Sequence, residues 1–90
     1  MIPDEELILV DVTSKAGVES YLASLWRRLL DVEHVGADDN FFELGGDSLI
    51  AMELLAIIDD TLDADIPITT LYERPTIAEL SEYIVGLGSL

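Results

Sequence analysis

The residues best suited to chemistry are four consecutive small or acidic ones, Gly45, Gly46, Asp47 and Ser48. Paired glycines let the backbone turn sharply and leave the next side chain uncrowded. An apolar helical stretch begins at Ser48, so the serine hydroxyl is expected at or next to a helix N-cap and exposed. Free N–H groups and the positive end of the helix dipole favour a phosphate ester there. The position equally suits a serine that only caps the helix, because serine is a favoured N-cap residue.

The same segment raises a catalytic alternative. Gly46-Asp47-Ser48-Leu49 resembles the motif of the Gly-Asp-Ser-Leu hydrolases, in which the serine is the nucleophile and an Asp-x-x-His stands near the end of a much larger α/β chain. The single histidine here, His34, ends an Asp-x-x-His that precedes the serine in a loop. No predicted strands supply a nucleophile elbow or an oxyanion hole, so the sequence disfavours this interpretation, although proximity of His34 to Ser48 stays open.

Metal and thiol chemistry are also poorly supported. The chain has no cysteine, which excludes disulfides, thiolate nucleophiles and cysteine metal sites. A cluster of acidic residues lies in and after the second predicted helix, but it lacks the acid, glycine and glutamate order of an EF-hand loop: Asp59, Asp60, Asp63 and Asp65. No metal site is predicted.

Two long helices are predicted from the spacing of apolar residues. The first runs from about residue 15 to 30 with Ser14 as its N-cap, and its inward residues recur at three- and four-residue spacing: Val18, Tyr21, Leu22, Leu25, Trp26 and Leu29. The second runs from about 48 to 62, and a broad apolar arc is expected to face the core: Ile50, Leu54, Leu55, Ile57 and Ile58.

The remaining elements are shorter. A helical turn is predicted near 69–73, and a last helix opens with a capping box formed by Thr76 and Glu79. Gly86 and Gly88 are expected to end that helix. Four residues around the short turn are expected to close one side of the core: Ile66, Ile68, Leu71 and Tyr72.

The expected fold is all-α: a small four-helix bundle of three main helices and one short one, with a long first loop. That loop covers residues 31–47, and Phe41 and Phe42 are predicted to pin it to the core. Residues 1–14 are expected to form a loosely ordered lead-in, extended at most over 7–10, and residues 15–90 the functional domain.

The exposed side of the second helix has a mixed character. Leu49 and Met52 are predicted to stand beside Glu53 at the edge of an acidic face. Apolar residues at the edge of a charged surface are typical of a partner-docking site. The alternative is that Leu49 and Met52 are ordinary core residues.

Charge is the strongest global signal. The 90 residues carry a formal net charge of −15, and no Lys or Arg occurs between Arg28 and Arg74. Such a surface repels nucleic acid and anionic membranes and attracts proteins with basic surfaces. The first ten residues lack the features of a secretory signal or a membrane span, so a soluble cytoplasmic protein is expected. The acidic run serves either solubility or docking, and the sequence leaves both open.

Two longer segments carry a family resemblance. Residues 39–49, DNFFELGGDSL, resemble the phosphopantetheine attachment motif of carrier proteins, and residues 71–80, LYERPTIAEL, resemble the closing segment of the same family. The two motifs stand at the separation usual in the family. The resemblance covers roughly residues 17–86.

The resemblance implies a bundle with a short third helix and a non-catalytic function. A phosphopantetheinyl transferase would move 4′-phosphopantetheine from coenzyme A to Ser48, and the thiol of that arm would carry the substrate as a thioester. Asp47 and Gly46 would belong to the attachment site, with Asp47 helping to present Ser48. Leu49, Met52 and Glu53 would match the partner-recognition region of the family.

The branch of the family is less sharply indicated. The paired glycines and residues 72–76 resemble peptidyl carriers of nonribosomal peptide synthetases, whereas the acidic second helix resembles acyl carriers of fatty acid and polyketide systems. We favour a peptidyl carrier of secondary metabolism, expected as a free-standing monomer; a domain excised from a larger synthase would have the same sequence features. Its partners would be an adenylation or acyl-loading enzyme and downstream synthase, tailoring or thioesterase enzymes. A second hypothesis is an acidic interaction module without a prosthetic group.

Overall fold

The computed structural model describes residues 11–88, which form four helices and no strand. Helix α1 spans Lys15–Leu30, α2 spans Ser48–Leu62, α3 spans Ile68–Glu73 and α4 spans Ile77–Gly88. The all-α bundle with a short third helix and a long first loop is therefore confirmed. The extended run expected at 7–10 lies outside the described residues. Within residues 11–88, no helix is long and apolar enough to cross a membrane.

Helix α1 supplies much of the core. The Ser14 hydroxyl accepts a hydrogen bond from the Gly17 amide at 3.2 Å, which confirms Ser14 as the N-cap. The expected inward residues are buried, with Leu29 partly so, and α1 packs mainly against α4. The largest side chains that are fully buried come from all four helices and the first loop: Val18, Leu22, Trp26, Phe41, Leu54, Ile58, Leu71, Ile77 and Leu80.

The first loop is tied to the junction between α3 and α4. The Phe41 amide donates to the Pro75 carbonyl at 2.8 Å, and the Ala78 amide donates to the Ala37 carbonyl at 2.9 Å. The Phe41 side chain is completely buried, as the sequence predicted for a pin. These contacts fix the end of the loop, and therefore the start of α2, against the opposite side of the bundle.

Helix α4 begins as predicted and ends at Gly88, one of the two glycines that were expected to end it. The Glu79 amide donates to the Thr76 hydroxyl at 3.1 Å, and that hydroxyl donates to the Glu79 carboxylate at 2.9 Å. Gly86 does not end the helix, which continues to Gly88. A glycine stops a helix when it adopts a positive φ angle. Among the described glycines only Gly45 has one, so Gly86 lies in ordinary helical conformation.

Candidate functional site

At the start of α2, the capping residue and the candidate reactive residue are two different, adjacent residues. Asp47 is the N-cap, and its Oδ1 accepts a hydrogen bond from the Ile50 amide at 2.9 Å. Ser48 is the first residue of the helix and is exposed. The hypothesis that Ser48 caps α2 is therefore wrong, and its hydroxyl stands next to the cap. Because the carboxylate of Asp47 accepts the hydrogen bond from the Ile50 amide, the serine hydroxyl is not the cap.

The two glycines before this turn are needed for different reasons. Gly45 has a φ angle of 109°, in the region that residues with a Cβ rarely adopt. Gly46 lies against the buried Phe41, since its amide donates to the Phe41 carbonyl at 3.1 Å. A Cβ on Gly46 would stand 2.8 Å from that carbonyl oxygen and closer still to the phenylalanine ring. The glycine pair thus brings the chain from the core directly to Ser48.

The Ser48 hydroxyl has one neighbour that the sequence did not predict. Its Oγ lies 3.1 Å from the hydroxyl oxygen of Tyr72 on α3, and either group can donate. The expectation that Tyr72 closes the core is wrong in part, because half of its side chain is exposed. Its ring instead stacks on Phe42, with the ring centroids 5.3 Å apart. Tyr72 lies within the segment that carried the family resemblance, but its contact with Ser48 is set by the tertiary fold.

The exposed face of α2 agrees with the helical pattern. Leu49 is 77% exposed, Met52 is 56% exposed and Glu53 is exposed, so the alternative that the first two are core residues is wrong. Ala51 and Leu54, on the other side of the helix, are completely buried. Two exposed apolar side chains and a carboxylate therefore lie within about one turn of Ser48.

The chemistry available at Ser48 is that of an exposed hydroxyl with no base beside it among the described residues. The hydrogen-bonding partner found at Oγ is the Tyr72 phenol rather than His34, which is exposed in the first loop. A nucleophilic serine needs an imidazole or a comparable base at that position. Within residues 11–88, no group of three or more His, Asp or Glu side chains is arranged to hold a metal ion.

The residues present fit a phosphopantetheine ester. Ser48 offers an exposed primary hydroxyl at the first position of a long helix, where a phosphate group is electrostatically favoured. The side chains of its neighbours Asp47 and Leu49 are exposed as well, so a transferase can approach this surface. When bound, the group supplies the thiol that a chain without cysteine cannot provide.

Comparison with known sequences also points to phosphopantetheine attachment. Residues 20–84 match the family described as a phosphopantetheine attachment site. The chain is 41% identical over 73 residues to gramicidin S synthase 2 of Brevibacillus brevis, covering 81% of this chain and 2% of that protein. It is 40% identical over 70 residues to surfactin synthase subunit 2 of Bacillus subtilis, covering 78% of this chain and 2% of that protein. The chain thus spans only about a fiftieth of these relatives.

Comparison with solved structures extends the match to the fold. A peptidyl carrier protein, solved in complex with coenzyme A and the phosphopantetheine transferase Sfp, is 39% identical with a TM-score of 0.74, covering 77% of this chain and 90% of that one. A free-standing peptidyl carrier protein from Acinetobacter baumannii is 27% identical with a TM-score of 0.78, covering 83% and 96%. From its sequence, its fold and the exposed serine at the head of α2, the chain belongs to the phosphopantetheine-binding family of carrier proteins, which are not enzymes and whose cofactor is 4′-phosphopantetheine.

Proposed function

We propose that this chain carries aminoacyl or peptidyl intermediates of nonribosomal peptide synthesis as thioesters on a 4′-phosphopantetheine arm attached to Ser48. The observation that carries the proposal is the exposed Ser48 hydroxyl, which is free of the capping role that Asp47 fulfils. The high identity to segments of two peptide synthases supports the peptidyl branch over the polyketide branch. Because coenzyme A, the donor of the arm, is a cytoplasmic metabolite, we place the protein in the cytoplasm.

Attachment requires a nucleophilic displacement at phosphorus. The Ser48 oxygen forms a bond to the β-phosphorus of coenzyme A while the bond from that phosphorus to adenosine 3′,5′-bisphosphate breaks. The hydroxyl proton passes to a base of the transferase. Asp47 and Gly46 contribute by holding the backbone. The carboxylate of Asp47 fixes the first turn of α2, and Gly46, the residue before Asp47, packs directly against Phe41.

Partner enzymes are proposed to dock on the face formed by Leu49, Met52 and Glu53. These partners are a phosphopantetheinyl transferase, an adenylation or other loading enzyme, and downstream synthase, tailoring or thioesterase enzymes. A net charge of −15 favours partners with basic surfaces. Exposed ion pairs contribute only about 0–1 kcal/mol each, so the charges mainly accelerate and orient encounter. Weak docking suits a carrier, because each enzyme must release it.

The attachment site is tested by intact mass. The apo protein, incubated with coenzyme A and a transferase of broad specificity, is expected to gain one phosphopantetheine group. Ser48→Ala is expected to gain none while remaining folded, because Asp47 still caps the helix and alanine is a good helix former. Ser20→Ala, at an exposed serine on α1, is the matched control and should load normally. Loading that survives Ser48→Ala would refute the assignment, and no loading at all would favour the interaction module.

The docking face is tested by kinetics. Glu53→Lys and Met52→Glu are expected to lower kcat/KM for transfer of the arm without changing the thermal midpoint of unfolding. Glu82→Lys makes the same charge change as Glu53→Lys at an exposed position on α4, where Glu82 makes only a 3.8 Å surface pair with Lys15. If Glu82→Lys slowed the reaction as much as Glu53→Lys does, overall charge rather than a docking face would control the rate.

A further inference from the structure

The hydroxyl group of Tyr72 lies 3.1 Å from the oxygen to which the arm is proposed to be attached. We propose that Tyr72 is a positioning residue of the prosthetic group: its hydroxyl orients the Ser48 hydroxyl in the unmodified protein and donates a hydrogen bond to the phosphodiester once the arm is attached. This inference rests on Ser48 as the attachment residue. It gives Tyr72, a residue of α3, a function in holding the arm that is attached to Ser48 of α2.

The position of the Tyr72 hydroxyl is fixed by a row of aromatic rings. Trp26 and Phe41 are completely buried, with ring centroids 5.2 Å apart. Phe41 contacts Phe42 edge to face at 5.2 Å, and Phe42 stacks on Tyr72 at 5.3 Å with 34° between the ring planes. The half-exposed ring of Tyr72 is thereby connected to the core. Its hydroxyl is held beside Ser48 before any ligand arrives, so little side-chain entropy is lost on binding.

Two of the backbone amides at the start of α2 are already engaged. The Ile50 amide donates to the side chain of Asp47, and the Ala51 amide donates to the Asp47 carbonyl. The dipole of α2 favours a phosphate at this helix end, whereas the adjacent carboxylate of Asp47 opposes it. The sequence has no Lys or Arg from residue 29 to residue 73, and the Arg74 guanidinium lies over the ring of Tyr83 at 5.7 Å. A phosphodiester on Ser48 therefore meets Tyr72 as its nearest established side-chain donor.

Attachment of the arm fixes the direction of this hydrogen bond. In the apo protein either hydroxyl can donate to the other. Once Ser48 is esterified its oxygen carries no proton, so only Tyr72 can donate. The non-bridging phosphate oxygens are anionic acceptors, and hydrogen bonds to ionised groups are shorter and stronger than those between neutral groups. Tyr72 therefore remains hydrogen-bonded at this site after loading, now to a stronger acceptor. This bond keeps the ester end of the arm on the α3 side of Ser48.

Nuclear magnetic resonance of the loaded protein tests this contact. Tyr72→Phe retains the ring and removes only the hydroxyl, and Tyr83→Phe is the matched control at a tyrosine that faces Arg74. Each protein is loaded with coenzyme A and a transferase, and intact mass confirms one arm. We expect the phosphorus resonance of Tyr72→Phe to be displaced from that of wild type, and that of Tyr83→Phe to coincide with it. With tyrosine labelled at Cζ, loading should shift the wild-type Tyr72 resonance and leave Tyr83 unchanged.

The outcomes separate this inference from the proposed function. Failure of the arm to attach to Ser48, seen by mass, would remove the attachment site and the inference with it. Normal loading with coincident phosphorus resonances in all three proteins would overturn the Tyr72 contact alone. If Tyr72→Phe does not fold, the labelled wild-type protein decides: an unchanged Tyr72 Cζ resonance on loading overturns the proposal, and a shift confined to Tyr72 supports it.

Discussion

Gly46→Ala tests whether the proposed attachment site depends on close packing of the first loop. The added Cβ would meet Cδ2 of Phe41 at 2.5 Å and the Phe41 carbonyl oxygen at 2.8 Å, where ordinary contact begins at 3.4 Å. The ring would have to retreat by roughly 1 Å to restore normal carbon–carbon separation. Phe41 has no free space for this movement, because it is completely buried and contacts Trp26.

The expected cost follows from overpacking a dense core. Forcing an extra carbon into a well-packed site typically costs about 1–3 kcal/mol. For a domain of this size, about 2 kcal/mol corresponds to a fall in the thermal midpoint of about 8–16 °C. If the loop yields instead of the ring, Ser48 is displaced, and the rate of arm transfer falls together with the stability.

Urea unfolding followed by the fluorescence of Trp26 measures this effect directly. Trp26 is the only tryptophan, and its ring lies 5.2 Å from the ring that must move. Gly86→Ala is the control, because a Cβ there meets no atom within 4 Å and the residue lies in helix α4. Alanine in place of a helical glycine is expected to stabilise the protein by about 0.5–1 kcal/mol. The same substitution, glycine to alanine, should therefore lower the free energy of unfolding at position 46 and raise it at position 86.

A double-mutant cycle with Phe41→Leu tests whether contact with the Phe41 ring causes the loss of stability in Gly46→Ala. Leucine at 41 removes the ring atoms that the new Cβ would meet, while the carbonyl contact remains. Gly46→Ala is therefore expected to cost less in the Phe41→Leu background than in wild type, although not zero. An equal cost in both backgrounds, or no cost in wild type, would show that steric contact with the ring is not the reason for glycine at this position.

Substitutions at two further positions test the cap of α2 and the core of α1. Asp47→Ala is expected to cost about 0.5–2 kcal/mol in urea unfolding, because the Ile50 amide loses its acceptor, whereas Asp47→Asn keeps an acceptor and should cost little; equal losses would point to the charge instead. Burial raises the pKa of the Tyr21 hydroxyl above its usual 10.0. The free energy of unfolding should therefore be unaffected by this group below pH 10.0 and fall as the pH rises through the higher pKa of the folded state. Tyr21→Phe should remove that part of the alkaline loss, and identical alkaline slopes would contradict it.

The helices could be predicted from the sequence because their signals are local. The apolar spacing between Lys15 and Leu30 and the run from Ser48 to Leu62 predicted α1 and α2 with the bounds that the structure shows. Ser14 and Thr76 could be identified as capping residues because the groups they bond lie three residues away. Of the two glycines expected to end α4, Gly88 is its last residue, whereas Gly86 lies within the helix. Whether a glycine ends a helix depends on its φ angle, and Gly86 does not have a positive one.

Around Ser48, the sequence predicted the arrangement of residues that are close in the chain but not the contact with a distant residue. The exposed hydroxyl and the exposed residues Leu49 and Met52 follow from the position of Ser48 at a helix start and from the helical period. The contact with Tyr72 joins residues 24 positions apart. Periodicity assigned Tyr72 to the core, because an aromatic residue on a short helix has no signal that distinguishes a core residue from a residue at the rim of a site.

The division of work between Asp47 and Ser48 explains how one helix end can be both stable and reactive. If the serine were the cap, its oxygen would accept a backbone hydrogen bond, and esterification would crowd that oxygen and weaken the helix start with each loading. With Asp47 as the cap, the bond to the Ile50 amide does not involve the Ser48 oxygen that we propose reacts. The first turn of α2 can thus keep one conformation in the apo and loaded proteins, and the face that we propose for docking, formed by Leu49, Met52 and Glu53, would be presented unchanged to successive partners. A carrier that must be recognised both before and after it is loaded requires this independence.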